Sequence, residues 1–423
     1  MVKIKAFKGV RPPKEMAAKV CARPYDVLSS EEARAEAEGL PMSLYRISKP
    51  EINFPAGTSE YDECVYQEAT RQYNLFKQNG WLRKDPTDCY YVYAQTWRGK
   101  TQYGLMIAAS VEDYEAGRIK KHELTRQDKE DDRMRHVVAT NANLGSAFFA
   151  YPKNPALHDI IMQVVKGAPE NDFTADEVRH QLWVVPEKTI CDEITELFAD
   201  IPCLYIADGH HRSAAAARVG AERRKANPNH NGTEEYNYFL ATAFSADELT
   251  VLDYNRLVFD LNGHTEAELL QLLAEDFIVE TAGTEVYRPQ ARHEFALYID
   301  HCWYRLTAKP EVVDEADPIK SLDVSISSEL ILKKLFGIVN LRKDERVDFI
   351  GGIRGLQYLQ DQVDQGKAKL ALALYPVSME EIMHVADAGQ IMPPKATWFE
   401  PKLRSGIVIH ELDGWIGYRN RSL

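Results

Sequence analysis

The chain has 423 residues, 45% of them hydrophobic and 27% charged, with a net charge of −13. That length suits two or three domains of ordinary globular composition, and the acidic balance excludes a general nucleic-acid binder, which needs a basic footprint. No run reaches the ~18 apolar residues of a membrane helix, and the Met1–Phe7 stretch lacks the apolar core of a signal peptide. The six cysteines are scattered without a CxxC pair, so the expectation is reduced thiols in the cytoplasm and no structural zinc.

Residues 1 to about 60 read as irregular with short strands. Pro24 holds Arg23 extended in Arg23-Pro24-Tyr25-Asp26, and Ser29/Ser30 before Glu31-Glu32 caps a helix to about Glu38. A stiff Arg and Asp there either face a ligand or pair with each other across a turn. The spacing of Tyr66, Ala69, Tyr73 and Phe76 predicts a helix over 61–79, its aromatic stripe facing a core. Strands follow at 89–97 and 103–110, joined by a hairpin at Arg98-Gly99-Lys100. Lys120-Lys121-His122-Glu123-Leu124-Thr125 leaves a turn at Gly117. A zinc-protease helix needs a second His one turn on, and that position is Arg126. Glu123, flanked by cations, remains either a candidate general base or a helix N-terminal carboxylate balanced by lysines. The charged run 128–136 predicts a helix with i,i+4 pairs on a solvated face, within which Asp132 is a candidate Mg²⁺ ligand.

A strand is expected at 147–151, a helix at 157–165, a strand at 181–185 and an amphipathic helix at 189–198. Next comes Pro202-Cys-Leu-Tyr-Ile-Ala-Asp208-Gly209-His210-His211-Arg212-Ser213 and four alanines. Leu204–Ala207 reads as a buried strand, Asp208-Gly209 as a sharp turn, and the alanines as a helix. Two imidazoles and a guanidinium thus fall where free N–H groups and the helix dipole attract anions, which makes this box the candidate phosphate or carboxylate site. Cys203 reads as a structural residue buried in the strand.

Residues 222–235 are turn-rich and read as a loop. Strands are expected at 238–244 and 249–259, with Arg256 either an anion contact or a surface residue. A capped helix at 265–274, strands at 277–280, 294–299 and 303–306, helices at 327–335, 355–365 and 378–388, and a strand at 368–375 compose a second part. Three prolines stiffen Met392-Pro-Pro-Lys395-Ala-Thr-Trp398-Phe399-Glu-Pro-Lys402. The two lysines suit phosphate and the aromatics suit a base; the other reading is a lid packed on the core. Gly406–Leu412 reads as a final strand. The organisation expected is a core over 1–260 with the phosphate-binding box, an α+β subdomain over 261–390, and a Pro-rich loop and strand over 391–423 returning to the site.

Arg23-Pro24-Tyr25-Asp26-Val27, Lys121-His122-Glu123-Leu124-Thr125, Lys129 to Arg133, Asp208 to Arg212 and Met392 to Phe399 together resemble the uncharacterised DUF1015 family nearly end to end. The Asp208–Arg212 box also resembles the second motif of the ParB/sulfiredoxin-like superfamily, whose Arg grips a nucleotide phosphate. That resemblance implies an α+β fold with a mixed-sheet ParB/sulfiredoxin-like core and a second α+β subdomain. By similarity to superfamily enzymes that phosphorylate free serine, it implies a nucleotide-dependent kinase for a small hydroxyl metabolite, with L-serine as the first candidate. Mg²⁺ with ATP or ADP would be its cofactors. Asp208, Gly209, His210, Arg212, Ser213, Arg23, Lys395 and Lys402 would bind the nucleotide, and Glu123 and His211 would be catalytic. The alternative is a CTP- or ATP-binding regulatory protein of ParB-like type without group transfer. The partners expected are a nucleotide and a small substrate, with no nucleic acid, no membrane and homo-oligomers allowed.

Overall fold

The apolar run of the box is the strand Leu204–Asp208, and it lies inside a nine-stranded sheet. The structure, a computed structural model, describes residues 1–412. The chain divides into two units. The first comprises 1–120, 124–248 and the segment from Pro401; the second comprises Lys121–Glu123 and Leu249–Glu400. Both mix helices and strands, so the fold is α+β. No helix among the described residues is long and apolar enough to cross a membrane.

In the first unit the sheet runs Ile119–Lys120, Leu204–Asp208, Ala147–Tyr151, Tyr238–Ser245, Lys100–Ser110, Tyr90–Trp97, Val178–Val185 and Asn171–Ala175. Ile4–Lys5 pairs with Lys100–Ser110 off this path. Leu204–Asp208 is parallel to Ile119–Lys120, Ala147–Tyr151 is parallel to Tyr238–Ser245, and the remaining pairs are antiparallel. The central strands are continuous apolar runs, as a sheet covered on both faces requires: every residue of Ala147–Tyr151 is buried. Val92, Ile107, Phe149, Ile206, Phe239 and Phe198 share one core cluster. A second cluster gathers Val20, Tyr45, Ile47, Tyr73, Phe76 and Ile409.

The second unit holds a six-stranded antiparallel sheet ordered Phe277–Gly283, Cys302–Ala308, Glu294–Ile299, Leu370–Leu374, Tyr254–Val258, Val347–Gly351. Leu257, Tyr298, Trp303 and Leu359 lie in the core on one of its faces.

Elements carrying local end signals fall where the sequence places them. Ser29, Thr265 and Ser378 each form a full capping box with the Glu three residues on. Three expectations shift. The helix from the box continues to Ala226, through residues read as loop. The predicted 327–335 helix sits in a helical run from Asp323 to Phe336 whose middle, Ser328–Lys333, is π-wound. Of the expected tail strand, His410–Glu411 pairs with Ala142–Asn143, and Ile409 bridges to Val10.

Candidate functional site

The helix of the box begins at His210, with Gly209 as its N-cap in the left-handed region at φ 88°. A Cβ at Gly209 would lie 3.2 Å from the Ala147 Cα. Glycine is therefore required twice, by conformation and by the close approach of the neighbouring strand. Ala214 to Ala217 are all buried and let the helix lie close to the sheet. A Cβ at Gly220 would come within 2.7 Å of the Tyr236 carbonyl oxygen.

Three ion pairs meet around this helix start. Arg133 donates to Asp132 from both Nε and Nη2, at 2.8 and 2.5 Å. Lys402 Nζ lies 3.1 Å from Asp208 Oδ2. Arg212 Nη2 lies 3.4 Å from Asp26 Oδ2, the longest of the three. Arg212 Nη1 donates to the Ser146 carbonyl, which fixes the guanidinium. Its Nε is buried without a hydrogen-bond partner. Burial works against the charges of Arg212 and Asp208 alike. Asp26 and Asp208 nevertheless hold the Arg212 pKa above its ordinary value, while Lys402 and Arg212 hold the Asp208 carboxyl well below its own. Asp208 Oδ1 also accepts from the Gly209 N–H at 2.8 Å.

Arg212 forms part of the wall of a cavity of ≈ 50 Å³, with Tyr25, Ser48, Arg133, His136 and Ser405. That volume holds on the order of three waters. Two buried polar atoms of this wall, Arg212 Nε and Ser48 Oγ, have no partner, and buried polar groups of native proteins are satisfied by protein, water or ligand. The Tyr25 ring lies 3.8 Å under the Arg133 guanidinium. His136 gives Nε2 to the Ile47 carbonyl at 2.8 Å; burial, reinforced by Arg133, pushes its pKa down to about 4. His136 is therefore neutral at pH 7.

The other expected site residues divide. His211 lies at the helix start, and its Nε2 accepts the Arg126 N–H at 3.1 Å. Its pKa is lowered by burial, against the opposing pull of Asp26 and Glu130. Because Nε2 accepts the Arg126 N–H, the ring's proton sits on Nδ1, where it can donate to an anion. His210 is buried. Ser213 donates its hydroxyl to the Gly209 carbonyl at 3.1 Å and serves the helix's own first turn. Arg23 is paired with Glu36, and the Glu36 carboxylate also accepts from Tyr45. Asp132 is buried with both oxygens hydrogen-bonded, one by Tyr66 at 2.7 Å and the other by Arg133. Asp26 is the acid here whose side chain is 38% exposed. Glu123 and Lys395 belong to the second unit, where Lys395 Nζ lies 5.7 Å over the Tyr254 ring.

The sequence offers Asp26 as a ligand contact or as a turn partner of Arg23, and names Arg133 and Tyr25 through their blocks without site roles; in the structure Asp26 pairs with Arg212 and Arg23 with Glu36. Ser48, Ser146 and Ser405 carried no local signal, because serines without a motif are indistinguishable from surface residues.

Residues 4–325 match the family described as "Protein of unknown function (DUF1015)". The chain belongs to the DUF1015 family. Its structure is similar to that of a free serine kinase in complex with AMP, at 15% identity and a TM-score of 0.34, covering 72% of this chain and 92% of that one. It is also similar to SbnI with a C-terminal truncation from Staphylococcus aureus, at 11% identity, TM-score 0.37, 71% and 87%. A conserved hypothetical protein from Pyrococcus furiosus follows at 12% identity, TM-score 0.32, 73% and 97%. No curated protein matches the chain.

Proposed function

We propose that this DUF1015 member binds a nucleotide by its phosphates at Arg212, and that it is a nucleotide-dependent phosphotransferase acting on a small hydroxyl metabolite. The observation that carries the reading is the Arg212 guanidinium. It is fixed by Ser146, buried at Nε without a partner, and held most loosely of the three ion pairs at the start of a helix. The Nε–H and Nη2–H edge of an arginine is the fork that grips a phosphate with two parallel hydrogen bonds, and the helix dipole adds to it.

In this reading His211 donates from Nδ1 to a phosphate oxygen. The Lys402–Asp208 pair fixes the turn and adds a cation beside the phosphates. The acceptor hydroxyl gives its proton to a carboxylate as its oxygen forms a bond to the terminal phosphorus, and the bond from phosphorus to the bridging oxygen breaks toward the nucleoside diphosphate or monophosphate. Asp26, beside Arg212 and 38% exposed, is the carboxylate assigned to take that proton. Mg²⁺, bound with the nucleotide, would neutralise phosphate charge.

The test is phosphorus NMR on the full chain with Mg²⁺, L-serine and ATP, ADP or CTP in turn. A phosphomonoester signal that is absent from Arg212→Ala establishes the transferase and names its donor. A nucleotide that binds and is returned unchanged in each mixture would instead favour the reading as a nucleotide-binding regulator.

A further inference from the structure

The second unit contains a cation for which the sequence allows either a surface position or an anion contact. Arg256, on the strand Tyr254–Val258, is 0% exposed. Its Nη1 donates to the Tyr254 carbonyl. Its Nε and Nη2 are buried with no hydrogen-bond partner, and among the described residues it makes no ion pair. Burial pushes its pKa down to about 10, which leaves it charged at neutral pH.

Which nitrogens are open identifies the ligand class. Elsewhere in this protein the Nε/Nη2 edge grips a carboxylate with two bonds, as in Arg133 on Asp132, Arg179 on Asp172 and Arg346 on Asp344. At Arg256 the same edge faces no acid. An unpaired buried charge is strongly unfavourable, so an arginine kept there with its fork open fits an oxyanion supplied from outside the chain.

The surroundings agree. Tyr254 and Arg256 lie two apart on one strand and so share a face of the sheet. The Arg256 guanidinium lies 5.1 Å over the Phe349 ring, and Lys395 Nζ lies 5.7 Å over the Tyr254 ring. Lys395 is exposed, holds a left-handed φ of 60° and, among the described residues, forms no ion pair. The Trp398 ring is packed edge-on against Tyr254 at 5.3 Å. It also lies so close to Gly351 that a Cβ there would meet it at 2.6 Å. Two cations without acids thus flank one wall of aromatic rings.

We propose that the second unit binds a small oxyanion, a phosphate or carboxylate group, held by the Nε/Nη2 edge of Arg256 with Lys395 as the outer cation. This site does not depend on the nucleotide reading of the first unit. Because Arg256 is fully covered, the ligand enters by displacing what lies over it.

The test is thermal unfolding of the full-length protein titrated with inorganic phosphate and, separately, with malonate, each against sodium chloride at matched ionic strength. It is run on the wild type and on Arg212→Ala, which silences the first unit's fork. The expected result is a saturable rise in Tm with one of the two anions in both proteins, identifying phosphate or carboxylate as the group bound. Lys395→Ala, an exposed position, should weaken that titration roughly tenfold, the effect of removing one cation from an oxyanion. Arg256→Met should abolish it. The proposal is overturned if neither anion acts beyond sodium chloride in Arg212→Ala, or if Lys395→Ala titrates like its parent. Failure of the nucleotide reading would appear separately, as loss of nucleotide binding in neither Arg212→Ala nor Arg212→Lys.

Discussion

Replacing Arg212 by lysine keeps the charge and removes the fork. The side chain loses its bond to the Ser146 carbonyl and the Nε–H that now has no partner. A lysine can present one donor toward a phosphate oxygen where the arginine presents a parallel pair, and a hydrogen bond to a charged group contributes about 1.5–3 kcal/mol. The Arg212 side chain is 13% exposed, so water replaces the lost donor poorly. The expected weakening of nucleotide binding is therefore about tenfold to a hundredfold. Calorimetric titration of ADP and ATP at one fixed salt concentration measures it, since exposed charges are screened as salt rises. Circular dichroism of the same samples checks that the fold is kept. Wild-type affinity in Arg212→Lys would refute the argument, because a ligand indifferent to the fork is not gripped by it.

Gly209→Ala forces a side chain into the left-handed region and to within 3.2 Å of Ala147. It should lower stability by about 2 kcal/mol, read from urea unfolding, and an unchanged midpoint would count against the close approach. Asp26→Asn keeps an acceptor for Arg212 but no base; it should cut turnover by about 10²–10⁴-fold while nucleotide affinity changes little. Glu123→Gln, the base suggested by sequence, is measured beside it, and whichever variant loses turnover names the proton acceptor. Acid should destabilise the protein through two buried imidazoles. Burial, with Arg133 adding to it, lowers His136 to about 4, and burial, with Arg404 adding to it, lowers His180 to about 3, from an ordinary 6.5. Groups depressed in the folded state contribute stability that is present above 6.5 and lost as pH falls toward those values, at up to ~1.4 kcal/mol per pH unit for each. Urea midpoints should fall from pH 7 to pH 5, and His136→Gln should flatten that slope; an unaltered slope would show that His136 is not the group titrating.

What the sequence made legible was local. The box could be read because strand, turn and helix follow one another within a few residues, and each has its own signal: an apolar run, a glycine, a row of alanines. Capping boxes marked helix starts to the residue for the same reason. The helix after the box outruns its expected end because Glu222, Arg223, Arg224 and Lys225 are good helix formers lying beside turn signals, and the stop comes only at Asn227-Pro228. Asn171–Ala175 escaped notice because an edge strand with alternating exposure is mostly polar. The site itself is long-range. Arg212 and Asp26 are 186 residues apart in sequence, and Lys402 and Asp208 are 194 apart. No periodicity connects such pairs. The same holds for Arg256: its strand was predicted, but its complete burial depends on which neighbours cover that face of the sheet.

The segment from Pro401 completes the first unit after the chain has made Leu249–Glu400. It supplies Lys402 to Asp208, the Lys402 carbonyl to Gln95, Ile409 to Val10 and His410 to Asn143. During synthesis at ~5–20 residues per second, the central strands of the first unit therefore leave the ribosome well before the segment that closes them. The second unit is entire by then. The order of birth is thus the reverse of the order of closure: the sequence of the nested unit is complete before Lys402 is added, and until then the Asp208 carboxylate has the Gly209 N–H and Arg212 but not its lysine. A ribosome stalled between Glu400 and Lys402 would hold a first unit whose turn at Asp208 still lacks its lysine partner.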